Sequence, residues 1–194
     1  MIEVAARTRV PSRRLAVLNH AIGLYFGTMG VSVSAFAVGH GVPGASAPII
    51  AVSGVSALLG GWLYGLRRYR ASPHQQLVIV SAYLTAAGLL LPFAPTALWL
   101  GAAVILTEAA VPPTLVLLSV MTEKSADPAV LTQAMTWNNS ASAAGSALAA
   151  AAAGRIADHL GASAAFALAP TAGLVLLAVS LTARHRWPQR QEDR

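Results

Sequence analysis

The sequence contains no cysteine, which excludes disulfides, thiolate metal sites and cysteine nucleophiles. Charge is scarce as well. Asp and Glu number seven, and charged residues of both signs make up 10% of the 194 residues. A soluble domain carries about 25%, because its surface must be wetted. Hydrophobic residues reach 56% although aromatic ones stand at only 6%, so the apolar mass is mostly aliphatic and small. With a mean hydropathy of +0.62, this composition suits lipid as its solvent. The sequence also lacks His-Glu-x-x-His and Gly-x-Ser-x-Gly patterns, and its histidines fall at helix ends or in loops. Neither an enzyme nor a metal or other cofactor is expected.

Thirteen Lys and Arg against seven acids leave a net charge of +6. A basic balance can signal nucleic acid, but here the cations sit in short clusters between long uncharged runs. That pattern points to a bilayer as the partner instead. A crossing helix needs about 20 mostly apolar residues, because the hydrocarbon layer is about 30 Å thick and a helix rises about 1.5 Å per residue. No charge occurs between Arg14 and Arg67, and His40-Gly41-Val42-Pro43-Gly44 marks a turn inside that run. Between Arg70 and Glu123 only Glu108 is charged, with Pro92 and Pro95 marking another turn. Uncharged runs follow Asp127 and Asp158. The gaps predict an all-α polytopic membrane bundle of six helices, near residues 15–38, 45–66, 75–93, 96–121, 130–153 and 162–182. A basic segment (1–14) precedes them and a tail (184–194) follows.

Orientation is set by the cations. With a cytoplasmic N-terminus, the inner segments hold Arg7, Arg9, Arg13, Arg14, Arg67, Arg68, Arg70, Lys124 and the four arginines from Arg184 onward, while the outer segments hold only Arg155. Both termini are then expected in the cytoplasm, with the chain in the inner membrane. A cleaved signal peptide ending at Ala35-Phe36-Ala37 fits less well. Its apolar run exceeds a usual signal core, and a further helix follows.

Helices in lipid pair through small residues, since the solvent offers no hydrophobic drive. The first helix has Gly23 and Gly27, with Gly30 one turn on, and the second has Gly61 and Gly65. The fifth has Asn138, Ser142, Ser146, Ala150 and Gly154 at four-residue spacing. These are expected to be packing seams.

Glu108 is the one ionisable residue deep inside a predicted span. Placing a carboxylate there costs at least about 2.5–3.5 kcal/mol on insertion scales, so it is expected to face the bundle or a wet cavity. Intramembrane acids are functional candidates for that reason: Glu108 either binds and releases a proton as part of the protein's function or is a neutral acid hydrogen-bonded to a neighbouring helix. Pro112-Pro113 follows one turn later and is expected to kink the helix. Asn138 and Asn139 point about 100° apart on their helix, so one is expected to line a cavity while the other bonds a neighbouring helix. Tyr25 is a candidate aromatic wall with a polar tip.

Several stretches, in order, resemble the second half of a bacterial major facilitator superfamily transporter of the drug-efflux-like type common in actinobacteria. Gly60-Gly61-Trp62-Leu63-Tyr64-Gly65-Leu66-Arg67-Arg68 is similar to the Gly-rich end of the family's eighth helix and the basic loop after it. Val130-Leu131-Thr132-Gln133-Ala134-Met135-Thr136-Trp137-Asn138 resembles the start of its eleventh helix, and the segment from Gly154 to Ala162 the exit from it. Phe26-Gly27, Ala35-Phe36-Ala37 and His40-Gly41 resemble its seventh helix and outer turn. The resemblance implies two inverted three-helix repeats, a small-molecule substrate, proton-coupled efflux, and a loop motif of Gly61, Gly65, Arg67 and Arg68. It departs at Tyr64-Gly65-Leu66, where the family often has an acid ahead of the basic residues, and at Gln133, where an acid is frequent in this group. The family uses two six-helix halves, so the expected partner is a complementary N-terminal half or a second copy. The alternative is a truncated or accessory membrane subunit with no transport of its own.

Overall fold

The computed structural model describes residues 2–67 and 70–183, and among them every regular element is helical. Arg68 and the tail at 184–194 lie outside the described residues. The helices are α1 (Ile2–Gly39), α2 (Ser46–Leu66), α3 (Pro73–Gly88), α4 (Ala97–Glu108), α5 (Val111–Ser125), α6 (Leu131–Leu160), α7 (Ala162–Phe166) and α8 (Leu168–Ala183). The basic N-terminal segment is therefore continuous with the first long helix.

Local signals account for the helix starts. Ser72 caps α3 in a box with Gln75, with Pro73 at the first helical position. Thr96 accepts the Trp99 amide at 3.2 Å to open α4. The turn into α7 uses Gly161 at φ 88°, a left-handed conformation that suits glycine.

Among the described residues, five stretches are long and apolar enough to cross a membrane: Arg13–Gly39, Pro43–Leu66, Pro73–Phe93, Ala97–Ser125 and Ala162–Thr182. The fourth comprises α4 and α5, and the fifth comprises α7 and α8. The helix expected near 130–153 is present as α6 but is not one of the five. It is long enough, since 30 residues rise about 45 Å. Its composition is what falls short. Eleven of those residues are alanine, nine more are Ser, Thr, Asn or Gly, and Arg155 and Asp158 lie near its end.

The central helix is α1, which packs on α5, α6, α7 and α8. Its contact with α6 is backbone against backbone. A Cβ on Gly23 would collide with the carbonyl of Ser142, and one on Gly27 with the carbonyl of Ser146. Gly145 of α6 meets the His20 carbonyl in the same way. At the start of the seam, His20 Nδ1 lies 3.1 Å from the Ala141 carbonyl, and the Nδ1–H tautomer donates to it. The two small-residue rows expected separately on the first and fifth helices thus form one seam with each other. Gly30 does not belong to it and has nothing within 4 Å of where a Cβ would stand.

Two further pairs complete the bundle. In α8, Gly173 admits Thr85 of α3, and His74 Nε2 sits 2.7 Å from the Ser180 carbonyl. Ser56 of α2 donates to the Ile105 carbonyl of α4 at 2.6 Å. A Cβ on Gly60 would stand 2.5 Å from the Ala109 carbonyl, and one on Gly61 would stand 3.2 Å from Pro112 Cβ. Gly65, expected on the same seam, is exposed with no neighbour there. Overpacking a close contact costs about 1–3 kcal/mol. Gly60→Val is therefore expected to destabilise by about that much and Gly65→Ala by under about 0.5 kcal/mol, compared by unfolding in mixed micelles.

Candidate functional site

The fourth span is broken at its middle, and the sequence explains why. A continuous helix would satisfy the Glu108 and Ala109 carbonyls with the amides of residues 112 and 113. Both are prolines and have no N–H to give. The chain responds with a tight turn in which the Ala110 amide bonds the Thr107 carbonyl at 3.1 Å. Helical bonding resumes when the Thr114 amide reaches the Ala110 carbonyl at 3.2 Å. The Pro pair therefore ends α4 at Glu108 and starts α5, where a kink within one helix was expected. Prolines suit the first turn of a helix, where amides lack partners anyway.

This break carries Glu108, and Tyr25 of α1 meets it. The Tyr25 hydroxyl donates to Glu108 Oε1 at 3.1 Å. Tyr25 is wholly buried and Glu108 partly so. Two candidates drawn from separate features of the sequence, 83 residues apart, are joined in one contact. Pro112 lies on the opposite flank of the break, against Gly61.

The amide candidates are elsewhere. Asn138 is buried, and its Nδ2 donates to Thr122 Oγ1 at 2.8 Å, tying α6 to α5. Thr122 in turn donates to the Leu118 carbonyl. Asn139 is exposed on another face of α6. Asn138 also lines a cleft of about 420 Å³ with Arg13, Thr122, Asp127, Gln133 and Trp137. This cleft gathers the Arg13–Ala16 turn of α1, the end of α5 and the start of α6. The ten residues between Leu15, which also lines it, and Tyr25 rise about 15 Å. The Tyr25–Glu108 pair and the cleft are therefore distinct places.

Asn138→Ala leaves Thr122 without its buried donor, so a loss of about 1–3 kcal/mol is expected. Asn139→Ala is expected to cost under about 0.5 kcal/mol, and unfolding midpoints of the two variants compare them.

The loop motif is only partly a site. Gly61 packs on Pro112, Gly65 is open, and Arg67 is exposed with its amide bonding the Tyr64 carbonyl. Tyr64 also donates to Gln76 Oε1 at 2.6 Å, tying the end of α2 to α3. Sequence reasoning missed this tie, the Ser56–Ile105 bond, and the meeting of Arg13 with Asp127 at one cleft. Only Ser56 had a local signal, since it stands one helical turn before Gly60 on the same face.

These helices define a class: an all-α protein with several stretches suited to crossing a bilayer, which marks it as a membrane protein. Comparison with protein-family models, curated proteins and solved structures finds no match to this chain.

Proposed function

We propose that this chain is a six-span half of a secondary transporter of the major facilitator type, moving a small amphipathic molecule with proton coupling through Glu108. The observation that carries the reading is the Tyr25–Glu108 hydrogen bond at the break of the fourth span. Broken helices at membrane depth are tolerated where they are buried or line a site. The pair also offers a coupling step. A hydrogen bond to a carboxylate is roughly twice as strong as one between neutral groups. Protonating Glu108 thus weakens the tie between α1 and α4, and deprotonation restores it.

Packing directions support α6 as a sixth crossing. Along the seam, His20, Gly23, Gly27 and Val31 meet Ala141, Ser142, Ser146 and Gly154 in the same order. The two helices therefore run parallel, and where α1 crosses, α6 crosses beside it. Likewise α2 runs parallel to α4 and α5, because Ser56, Gly60 and Gly61 meet Ile105, Ala109 and Pro112. By contrast α3 and α8 are antiparallel, since Thr85 meets Gly173 and His74 meets Ser180. Six alternating crossings have these directions. The α1–α6 and α2–α4 pairs exchange, and the α3–α8 pair maps onto itself, when the first three spans are exchanged with the last three, as two inverted repeats require. The cation clusters favour the inner membrane with both termini in the cytoplasm.

The test is uptake of a panel of fluorescent amphipathic dyes into proteoliposomes under an imposed pH gradient. The chain is assayed alone and with a co-expressed six-span N-terminal half. Gradient-driven uptake in either preparation supports the reading. Its absence in both overturns transport and leaves an accessory subunit.

A further inference from the structure

The cleft between the Arg13–Ala16 turn of α1, the end of α5 and the start of α6 is not used by the Tyr25–Glu108 pair. Its level in the membrane is set by its lining. Arg13 opens the first crossing stretch and Ser125 closes the fourth, so the cleft lies at the polar boundary of the bilayer, on the side of the N-terminus. Two full charges of opposite sign line it, Arg13 and Asp127, and no ion pair joins them. Asp127 uses Oδ1 to accept the Ala129 amide at 2.9 Å, which fixes its carboxylate at the start of the turn into α6. The amides of Gln133 and Asn138 line it as well, and Leu15, Val130 and Trp137 supply apolar wall. At 67% exposure, Trp137 leaves its ring open at this level, where tryptophan is favoured.

We propose that this cleft binds the zwitterionic headgroup of an aminophospholipid, with the phosphate on Arg13 and the primary ammonium on Asp127. The guanidinium fork matches phosphate oxygens in geometry as well as charge. The free carboxylate oxygen of Asp127 accepts from an ammonium N–H. A choline headgroup satisfies Arg13 but has no N–H for Asp127. An anionic glycerol headgroup satisfies Arg13 and leaves Asp127 without a counter-charge. The volume of about 420 Å³ lies within the range of small-molecule sites, and the apolar wall suits the glycerol and first acyl carbons. This binding requires a bilayer but not transport.

The experiment places the full chain in nanodiscs with equal fractions of phosphatidylethanolamine, phosphatidylcholine and phosphatidylglycerol, then counts retained lipids by native mass spectrometry. Phosphatidylethanolamine is expected to be retained about threefold to fivefold over phosphatidylcholine, the range for one exposed ion pair. Asp127→Asn is expected to erase that preference while leaving overall retention, and Arg13→Gln to reduce retention of all three lipids. Should a variant fail to fold, the unaltered chain is tested with mono-, di- and trimethylated ethanolamine lipids, where retention is expected to fall as N–H donors are lost. Equal retention across that series, or a preference that survives Asp127→Asn, overturns the proposal. Displacement by millimolar glycerophosphoethanolamine would assign the same chemistry to a soluble ligand and also overturn it.

Discussion

Under the proposed proton-coupled transport, Glu108→Gln is expected to reduce uptake to the level of protein-free liposomes while leaving the fold intact. The amide has nearly the shape of the carboxyl, and its Oε1 can still accept the Tyr25 hydroxyl that donates at 3.1 Å in the parent. What it cannot do is take up and release a proton, so the strength of the α1–α4 tie stops changing. Tyr25→Phe removes the donor instead and leaves Glu108 short of a partner, at a cost of about 1–3 kcal/mol. The two variants separate the roles: the first should lose coupling with at most a small drop in unfolding midpoint, and the second should show the larger loss of stability. Uptake and midpoint measured on the same preparations check both. Glu108→Gln protein that still concentrates dye under a pH gradient at the parental rate would remove Glu108 from the coupling step.

The seam between α1 and α6 carries the largest expected effect on stability. Valine at Gly27 would place its Cβ on the Ser146 carbonyl and close to the Ala150 amide. The obstacle is backbone, so no rotamer change can relieve it, and the helices must separate. A cost at or above the upper end of the usual overpacking range, about 3 kcal/mol, is expected. Gly23→Val should act in the same way against Ser142. The double variant is expected not to fold, because the two contacts belong to one seam. Gly30→Ala is the control: it meets nothing within 4 Å and should stabilise by up to about 1 kcal/mol through helix propensity. Detergent-unfolding midpoints rank the variants. A Gly27→Val protein as stable as the Gly30→Ala protein would mean that the seam is not packed as described.

Much of this architecture was legible in the distribution of charge. Long uncharged runs bounded by Arg clusters located the helices, and turn residues such as His40-Gly41 and Pro92 divided them. Rows of small residues were legible too, but their partners were not. A Gly-xxx-Gly row says that something approaches closely without saying which face turns inward, so Gly30 and Gly65 read like Gly27 and Gly61 although they pack on nothing. Pro112-Pro113 announced a disturbance. That it ends the helix follows only when the donors to the Glu108 and Ala109 carbonyls are counted. Charge gaps also predict a span over α6, whose Ser, Thr and Asn keep it less apolar than the five stretches, because charge gaps do not register such polarity. The contacts of the candidate site were out of reach for a general reason. Tyr25 and Glu108 lie in different helices, and Arg13 and Asp127 line one cleft where three helices converge, so each pairing is a product of tertiary packing. Periodicity along one helix carries no information about such meetings.

The polarity of α6 has a consequence for biogenesis. As a sixth crossing, a segment so rich in alanine and hydroxyl side chains gains little by partitioning alone from the translocation channel into lipid. Its favourable surface is α1, which emerges from the ribosome more than 100 residues earlier. The bundle would then be completed by capture: α1 waits at the channel's lateral opening with its glycine face uncovered until α6 arrives to fill it. A lesion at Gly23 or Gly27 would appear in the cell as a topology error, with the Leu131–Leu160 segment left outside the bilayer and the segment after it inverted or stranded.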